Sequence, residues 1–114
     1  MTHEMKLNRS PFLMIESGEK IYELRLLDEK RQRISVGDTI VFTMADDPTR
    51  KMTVGVVGLH RFDSFEKLYA ALPLDKCGYR ADELATASPS DMEAYYSKEE
   101  QNRYGVVAIE VKVV

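Results

Sequence analysis

Hydrophobic and polar positions along this chain follow two rhythms, one of strands and one of helices, separated by charged turns. Met5 to Asn8 reads as a short first strand. Ser10-Pro11 then looks like a helix N-cap followed by proline at the first helical position, where its missing N–H is no loss. Phe12, Leu13, Met14 and Ile15 supply a short apolar helix, and Gly18 is placed to end it in a left-handed cap. From Lys20 to Leu26 the period shortens to two, with Tyr22, Leu24 and Leu26 on one face and Ile21, Glu23 and Arg25 on the other. A strand with one polar face is expected. After the charged stretch Asp28 to Arg33, Ile34-Ser35-Val36-Gly37-Asp38 turns the chain into a strand over Thr39 to Met44. A polar turn, Ala45-Asp46-Asp47-Pro48, precedes a valine-rich returning strand over Lys51 to Phe62, interrupted by Gly55 and Gly58. Glycines inside a strand mark a bulge or a bend, so the sheet is expected to curve.

The helical rhythm returns at Asp63-Ser64-Phe65-Glu66, a D-x-x-E capping pattern that opens a helix through Leu72, stopped by Pro73. Phe65, Leu68, Tyr69 and Leu72 give it one apolar face. Weaker helical stretches follow near Ala81 to Ala87 and, capped by Ser90, at Asp91 to Tyr96; Ser97-Lys98-Glu99-Glu100 is a capping box for a last helix ending near Gly105. Val106 to Val114 closes the chain as a buried strand. Strands that come in a run, with helices grouped in inserts, indicate an α+β fold or a small, mainly antiparallel barrel rather than a doubly wound sheet.

Composition narrows the function classes. With 114 residues, 44% hydrophobic and 31% charged, the chain suits one compact domain over residues 1–114. One cysteine, Cys77, excludes an intrachain disulfide, and with only His3 and His60 beside it no Cys/His zinc site can assemble. No metal or cofactor is expected. No signal-peptide core or membrane-spanning run is visible, so a cytoplasmic protein without membrane contact is expected. A formal net charge of −3 argues against a long duplex DNA footprint. The charge is uneven, however: residues 1 to 61 carry ten Lys and Arg against nine Asp and Glu, and residues 62 to 114 carry six against ten. Lys20, Arg25, Lys30, Arg31 and Arg33 fall close together in the first half, as a solvated surface or as a local basic site.

Leu7 to Arg25, LNRSPFLMIESGEKIYELR, carries Gly18, Lys20, Glu23 and Arg25 in the spacing Gly-x-Lys-x-x-Glu-x-Arg, with Pro11-Phe12 upstream. This segment resembles the signature of the ASCH domain, the activating-signal-cointegrator homology family. Val36 to Phe42 and Tyr104 to Ile109 are similar to that family's Gly-Asp strand and closing strand, so the resemblance covers most of the chain. It implies a PUA-like β-barrel with a cleft beside the motif, in a group of folds that commonly bind RNA or modified bases.

Two functional readings and two others stand on these residues. In a binding module for RNA or a nucleoside-like small molecule, Lys20 or Arg25 holds a phosphate or polar group, Glu23 accepts from an exocyclic amine, and Pro11 and Phe12 border the ligand. In an enzyme, Lys20 and Glu23 are the catalytic candidates. The resemblance here is to small metal-independent amidohydrolases acting on acetylated cytidine, or to ribonuclease-like members. Those amidohydrolases place a threonine where this chain has Glu23, and a nearby carboxylate favours the charged form of a lysine, making Lys20 a poorer base. The other readings are a structural Glu23–Arg25 ion pair and a protein-interaction module using the acidic second half. Phe12, Tyr79, Tyr95, Tyr96 and Tyr104 are candidates for base stacking. Phe12 is the strongest core candidate among them, and Tyr95 and Tyr96, adjacent on one helix, cannot both face inward. His60 reads as structural or exposed, and Cys77, without a neighbouring histidine, as a buried or loop thiol rather than a nucleophile.

Overall fold

The computed structural model describes residues 1–114. Five strands form one mixed sheet: β1 (Thr2–Leu7), β2 (Tyr22–Leu26), β3 (Thr39–Met44), β4 (Asp47–Phe62) and β5 (Val106–Val113), in the order β1-β3-β4-β5-β2. Four short helices, α1 (Arg9–Ser17), α2 (Glu29–Gln32), α3 (Phe65–Ala71) and α4 (Lys98–Tyr104), and three 3-10 turns connect them. The class is α+β. Three of the four strand pairings are antiparallel, but β1 runs parallel to β3, a departure from the antiparallel hairpin logic of the rest. The connection from β1 to β3 passes through α1 and β2, and such a long crossover is what parallel pairing requires. No helix is long and apolar enough to cross a membrane.

The sheet curves into a half-barrel. One source of the bend is β4, where the register with β5 shifts between Val56 and Gly58, so the glycine-marked interruption is a bulge. β5 lies between β4 and β2 and is buried on both faces. Val107, Ile109 and Val111 join Phe12, Ile15, Ile40, Phe42 and Val54 in the larger core beneath α1, whereas Val106 and Ala108 pack with Leu24, Phe65, Leu68 and Met92 beneath α3 and the turns after it. That double burial is why the strand reads as a continuous apolar run.

Backbone pairing stops at β1 and β2, which are the two edges of the sheet. Side chains span the seam instead. Arg25 Nη2 donates to the Lys6 carbonyl at 2.8 Å and Lys30 Nζ donates to the Glu4 carbonyl at 2.7 Å. Glu4 and Lys6 are two residues apart, so these carbonyls lie along one edge of β1, the row that has no strand partner.

Several boundaries differ from those read in the sequence. α1 begins at Arg9, after an extended Asn8 that makes no side-chain cap, so Ser10-Pro11 sits inside the first turn. α3 is capped by Ser64, whose side chain accepts from Lys67 N–H, rather than by Asp63. The stretch from Leu74 to Ala94 forms 3-10 turns, Leu74–Cys77, Leu84–Thr86 and Pro89–Ala94, the last capped by Ser88 with Asp91 as its partner in the capping box. Pro89 leaves its own turn without an N–H donor and fixes it at the first position, which moves the cap upstream of Ser90.

Candidate functional site

Three short-range constraints place the motif. Gly18 ends α1 at φ 86°, a left-handed cap whose N–H reaches the Ile15 carbonyl. Lys20 N–H then bonds the Met14 carbonyl at 3.0 Å, and Ile21 N–H bonds the Lys76 carbonyl at 2.9 Å. The chain becomes a strand only at Tyr22. Lys20 therefore escapes the strand alternation that would send it away from Glu23. Within β2, Glu23 and Arg25 pair with Ile109 and Val107 of β5, and directly opposed residues share a face, so both acidic and basic groups are carried to the concave side of the sheet.

There the three side chains form a continuous ion chain. Lys20 Nζ lies 2.8 Å from Glu23 Oε1, and Arg25 Nε lies 2.6 Å from Glu23 Oε2. Lys20 is 8% and Glu23 4% exposed. Burial works against the Glu23 carboxylate, but Lys20 and Arg25 outweigh it and hold its pKa below the ordinary glutamate value. Burial likewise opposes the Arg25 charge, and Glu23, with the Tyr96 phenol beyond it, more than compensates and raises its pKa. Within the chain, Arg25 Nε serves Glu23 and Nη2 the Lys6 carbonyl, with the Tyr96 hydroxyl also beside the guanidinium.

This ion chain lines a cleft of about 410 Å³. Lys20, Glu23, Arg25 and Pro11 all contribute to its wall. Phe12 does not, a correction to its place among the ligand-binding candidates: it is 0% exposed, packed in the larger core with the Arg50 guanidinium 5.5 Å above its ring. At an apolar position on the inner face of α1, a phenyl ring gains more from the core than from a polar cleft. Of the tyrosines, Tyr79, Tyr95 and Tyr96 line the cleft and Tyr104 lies elsewhere, beside Arg103. Tyr95 is 66% exposed, while Tyr96 is half-buried and stacks on Phe65 with ring centroids 6.3 Å apart.

Further polar lining comes from α3 and the turns between α3 and α4. Tyr79 Oη lies 2.6 Å from Tyr69 Oη and donates to Asp91 Oδ2 at 2.7 Å, and because its one proton is committed to Asp91, Tyr69 is the donor of the first bond. Burial, and then the bonds to Tyr69 and Asp91, push the Tyr79 phenol far above its ordinary range. Sequence reading missed Tyr69 and Asp91, which look there like a helix-face aromatic and a solvated acid. It also missed Gly78, which at φ 109° lies flat against the Lys20 stem: a Cβ there would stand 3.2 Å from Lys20 Cδ. A glycine between Cys77 and an aromatic, just after a proline-ended helix, is the one local signal of that contact.

Cys77 is buried beside the cleft, where burial, partly countered by Lys20 and reinforced by Asp75, pushes its thiol up to about 11. That is the opposite of nucleophile activation. His60 sits on the outer side with Glu110 at 2.9 Å and the Tyr22 ring edge-on at 5.6 Å.

Comparison with known proteins agrees with the resemblance seen in the motif. None of the curated proteins matches the chain. Among solved structures, the crystal structure of the hypothetical protein PH0355 is 30% identical over the whole of both chains, with a TM-score of 0.83. The solution structure of protein PF0455 from Pyrococcus furiosus is 29% identical, covering 100% of this chain and 98% of that one, with a TM-score of 0.73. An ASCH domain from Lactobacillus crispatus JV V101 shares the fold at 14% identity and a TM-score of 0.62, over 98% of this chain and 79% of that one. The ASCH domain family model matches residues 5–114, spanning the strands, the motif and the cleft alike. The chain belongs to the ASCH domain family.

Proposed function

We propose that the cleft binds a nucleotide-like ligand, free or as part of an RNA strand, with Lys20 and Arg25 receiving its anionic group. The observation that carries this reading is the ion chain itself. One buried carboxylate holds two cations in place, so this triad leaves one positive charge in excess at the cleft. A guanidinium fixed by a carboxylate loses little freedom when it engages a phosphate, and its fork suits two oxygens at once. The volume of about 410 Å³ falls in the range of small-molecule sites, and the exposed Tyr95 ring in the same lining offers a base a stacking surface.

Hydrolysis is less well supported by the same geometry. A general base must offer a lone pair to the proton it removes, and Lys20 faces a carboxylate at 2.8 Å.

The test is titration of the protein with short single-stranded RNAs and a panel of nucleosides and nucleotides at low salt. Saturable binding is expected, weakened at least tenfold in Arg25→Met, with the fold of that variant checked by circular dichroism. Absence of saturable binding across the panel refutes the reading. Incubation with acetylcytidine and with RNA, beside Lys20→Ala, supplies the catalytic arm: product that depends on Lys20 overturns a binding-only role.

A further inference from the structure

We infer that Asp91 reads the base edge in this cleft, its free carboxylate oxygen accepting a hydrogen bond from an exocyclic amine so that amino-bearing bases bind in preference to their oxo counterparts. This rests on the cleft being a nucleotide site, and it relocates the acceptor from Glu23 to the turn that carries Asp91.

Glu23 is poorly placed for that task. Each of its oxygens already faces a cation, at 2.8 Å and 2.6 Å, and the residue is only 4% exposed. A ligand amine would have to compete with a buried ion pair. Asp91 has one oxygen occupied and one unoccupied. Oδ2 accepts from the Tyr79 hydroxyl at 2.7 Å and from Ser88 N–H at 3.2 Å, whereas Oδ1 makes no bond within the chain. A carboxylate lining a cleft with a single open oxygen is an acceptor and nothing else.

Its orientation is built from two directions. The capping box joins Asp91 to Ser88 at the start of the last 3-10 turn, fixing the backbone. The Tyr69 to Tyr79 to Asp91 relay fixes the side chain, and the two rings hold each other edge-to-face at 5.8 Å. Tyr79 is thus a positioning residue, and its proton is committed to Asp91 rather than available to a ligand.

Charge on the cleft walls is segregated in the same sense. Lys6, Lys20 and Arg25 come from the segments around β1 and β2, where Glu23 offsets one of the three, while Glu83 and Asp91 come from the turns between α3 and α4. A ligand with an anionic group at one end and a donor at the other matches both walls. An oxo group facing Asp91 would set two acceptors against each other, so the wrong base is rejected and not merely unrewarded. Adenine and cytosine present a donor where hypoxanthine and uracil present an acceptor.

The experiment is calorimetric titration with adenosine and inosine 5′-monophosphates, and with cytidine and uridine 5′-monophosphates, on the wild type, Asp91→Asn and Tyr79→Phe. The wild type is expected to favour the amino member of at least one pair by about tenfold, the scale of one charge-assisted hydrogen bond. Asp91→Asn, whose amide offers donor and acceptor alike and can still cap the turn, should bind the amino member more weakly and lose the preference. Tyr79→Phe should keep binding with the preference reduced. Equal affinities within both pairs for the wild type, or a ratio that Asp91→Asn leaves unchanged, overturns the role of Asp91 while the nucleotide site stands. If the wild type binds none of the four nucleotides, the site reading fails and this inference fails with it.

Discussion

Replacing Glu23 with glutamine removes one charge and leaves two. The carboxylate sits 2.8 Å from Lys20 Nζ and 2.6 Å from Arg25 Nε, and at an effective dielectric of about 20 each contact supplies about 6 kcal/mol of Coulomb attraction. Desolvation of three buried charges offsets most of that, so the net worth of the triad is small; breaking it is a different matter. Glutamine leaves Lys20 and Arg25 buried, adjacent and uncompensated, which costs about 3–5 kcal/mol. Urea denaturation at pH 7 measures the loss. A double-mutant cycle with Lys20→Met identifies its source: removing the stranded ammonium in the Glu23→Gln background should recover part of the stability, so the two changes together cost clearly less than their sum. The pH dependence carries the same sign. Glu23 is depressed below 4.5, so its contribution is fully present above that value and is lost as pH falls through the folded-state pKa. Glu23→Gln should therefore show a flatter acid limb than the wild type. A loss under about 1 kcal/mol, or strict additivity with Lys20→Met, would refute the account of Glu23 as the counter-charge on which both cations depend.

Three further outcomes follow from separate parts of the molecule. Gly78→Ala should cost at least about 1–2 kcal/mol from the left-handed backbone alone and, by pressing on the Lys20 stem at 3.2 Å, should weaken ligand binding more than a turn substitution remote from the cleft; an unchanged melting temperature would exclude it. Asp38 is held at about 2 by His3, by the Ser35 N–H and by the N-terminal ammonium, so its carboxyl should titrate by NMR near that value; its stabilising effect, present above 3.8, should disappear as pH falls through about 2, and a midpoint near 4 would contradict this. Cys77, with its thiol pushed up to about 11, should react with iodoacetamide at pH 8 far more slowly in the native protein than in urea, and equal rates would show that the thiol is not enclosed.

What was legible in the sequence divides along a physical line. Strand β3 matches its predicted span, Thr39 to Met44, because alternation and a Gly-Asp turn both mark it, and the Ser97 capping box holds because Glu100 satisfies it reciprocally within four residues. Those signals are local. The phase of Lys20 was open, since period two read through residue 20 turns it away from Glu23 unless the strand begins later; the Met14 and Lys76 carbonyls, which capture Lys20 and Ile21 before the strand begins, decide it. The parallel pairing of β1 with β3 was equally hidden, being a choice between distant edges. Asp91 was invisible as a site residue for the same reason: its partner Tyr79 is twelve residues away across a turn, and its sequence neighbours describe a solvated cap.

The position of the cleft follows from the open edges of the sheet. β1 and β2 terminate the backbone ladder, and an edge carbonyl row needs donors that no strand supplies. Arg25 is one such donor, spending Nη2 on Lys6 and Nε on Glu23, so the residue that spans the seam is also the one proposed to receive a ligand. A lysine at position 25 carries one ammonium on a flexible stem and cannot hold both partners in a fixed plane while presenting a further donor. Arg25→Lys should therefore keep the net charge of the cleft and still lose both seam rigidity, read as faster amide exchange along β1, and affinity for an anionic ligand. Retention of both properties would mean that charge alone suffices, and would separate the seam from the site.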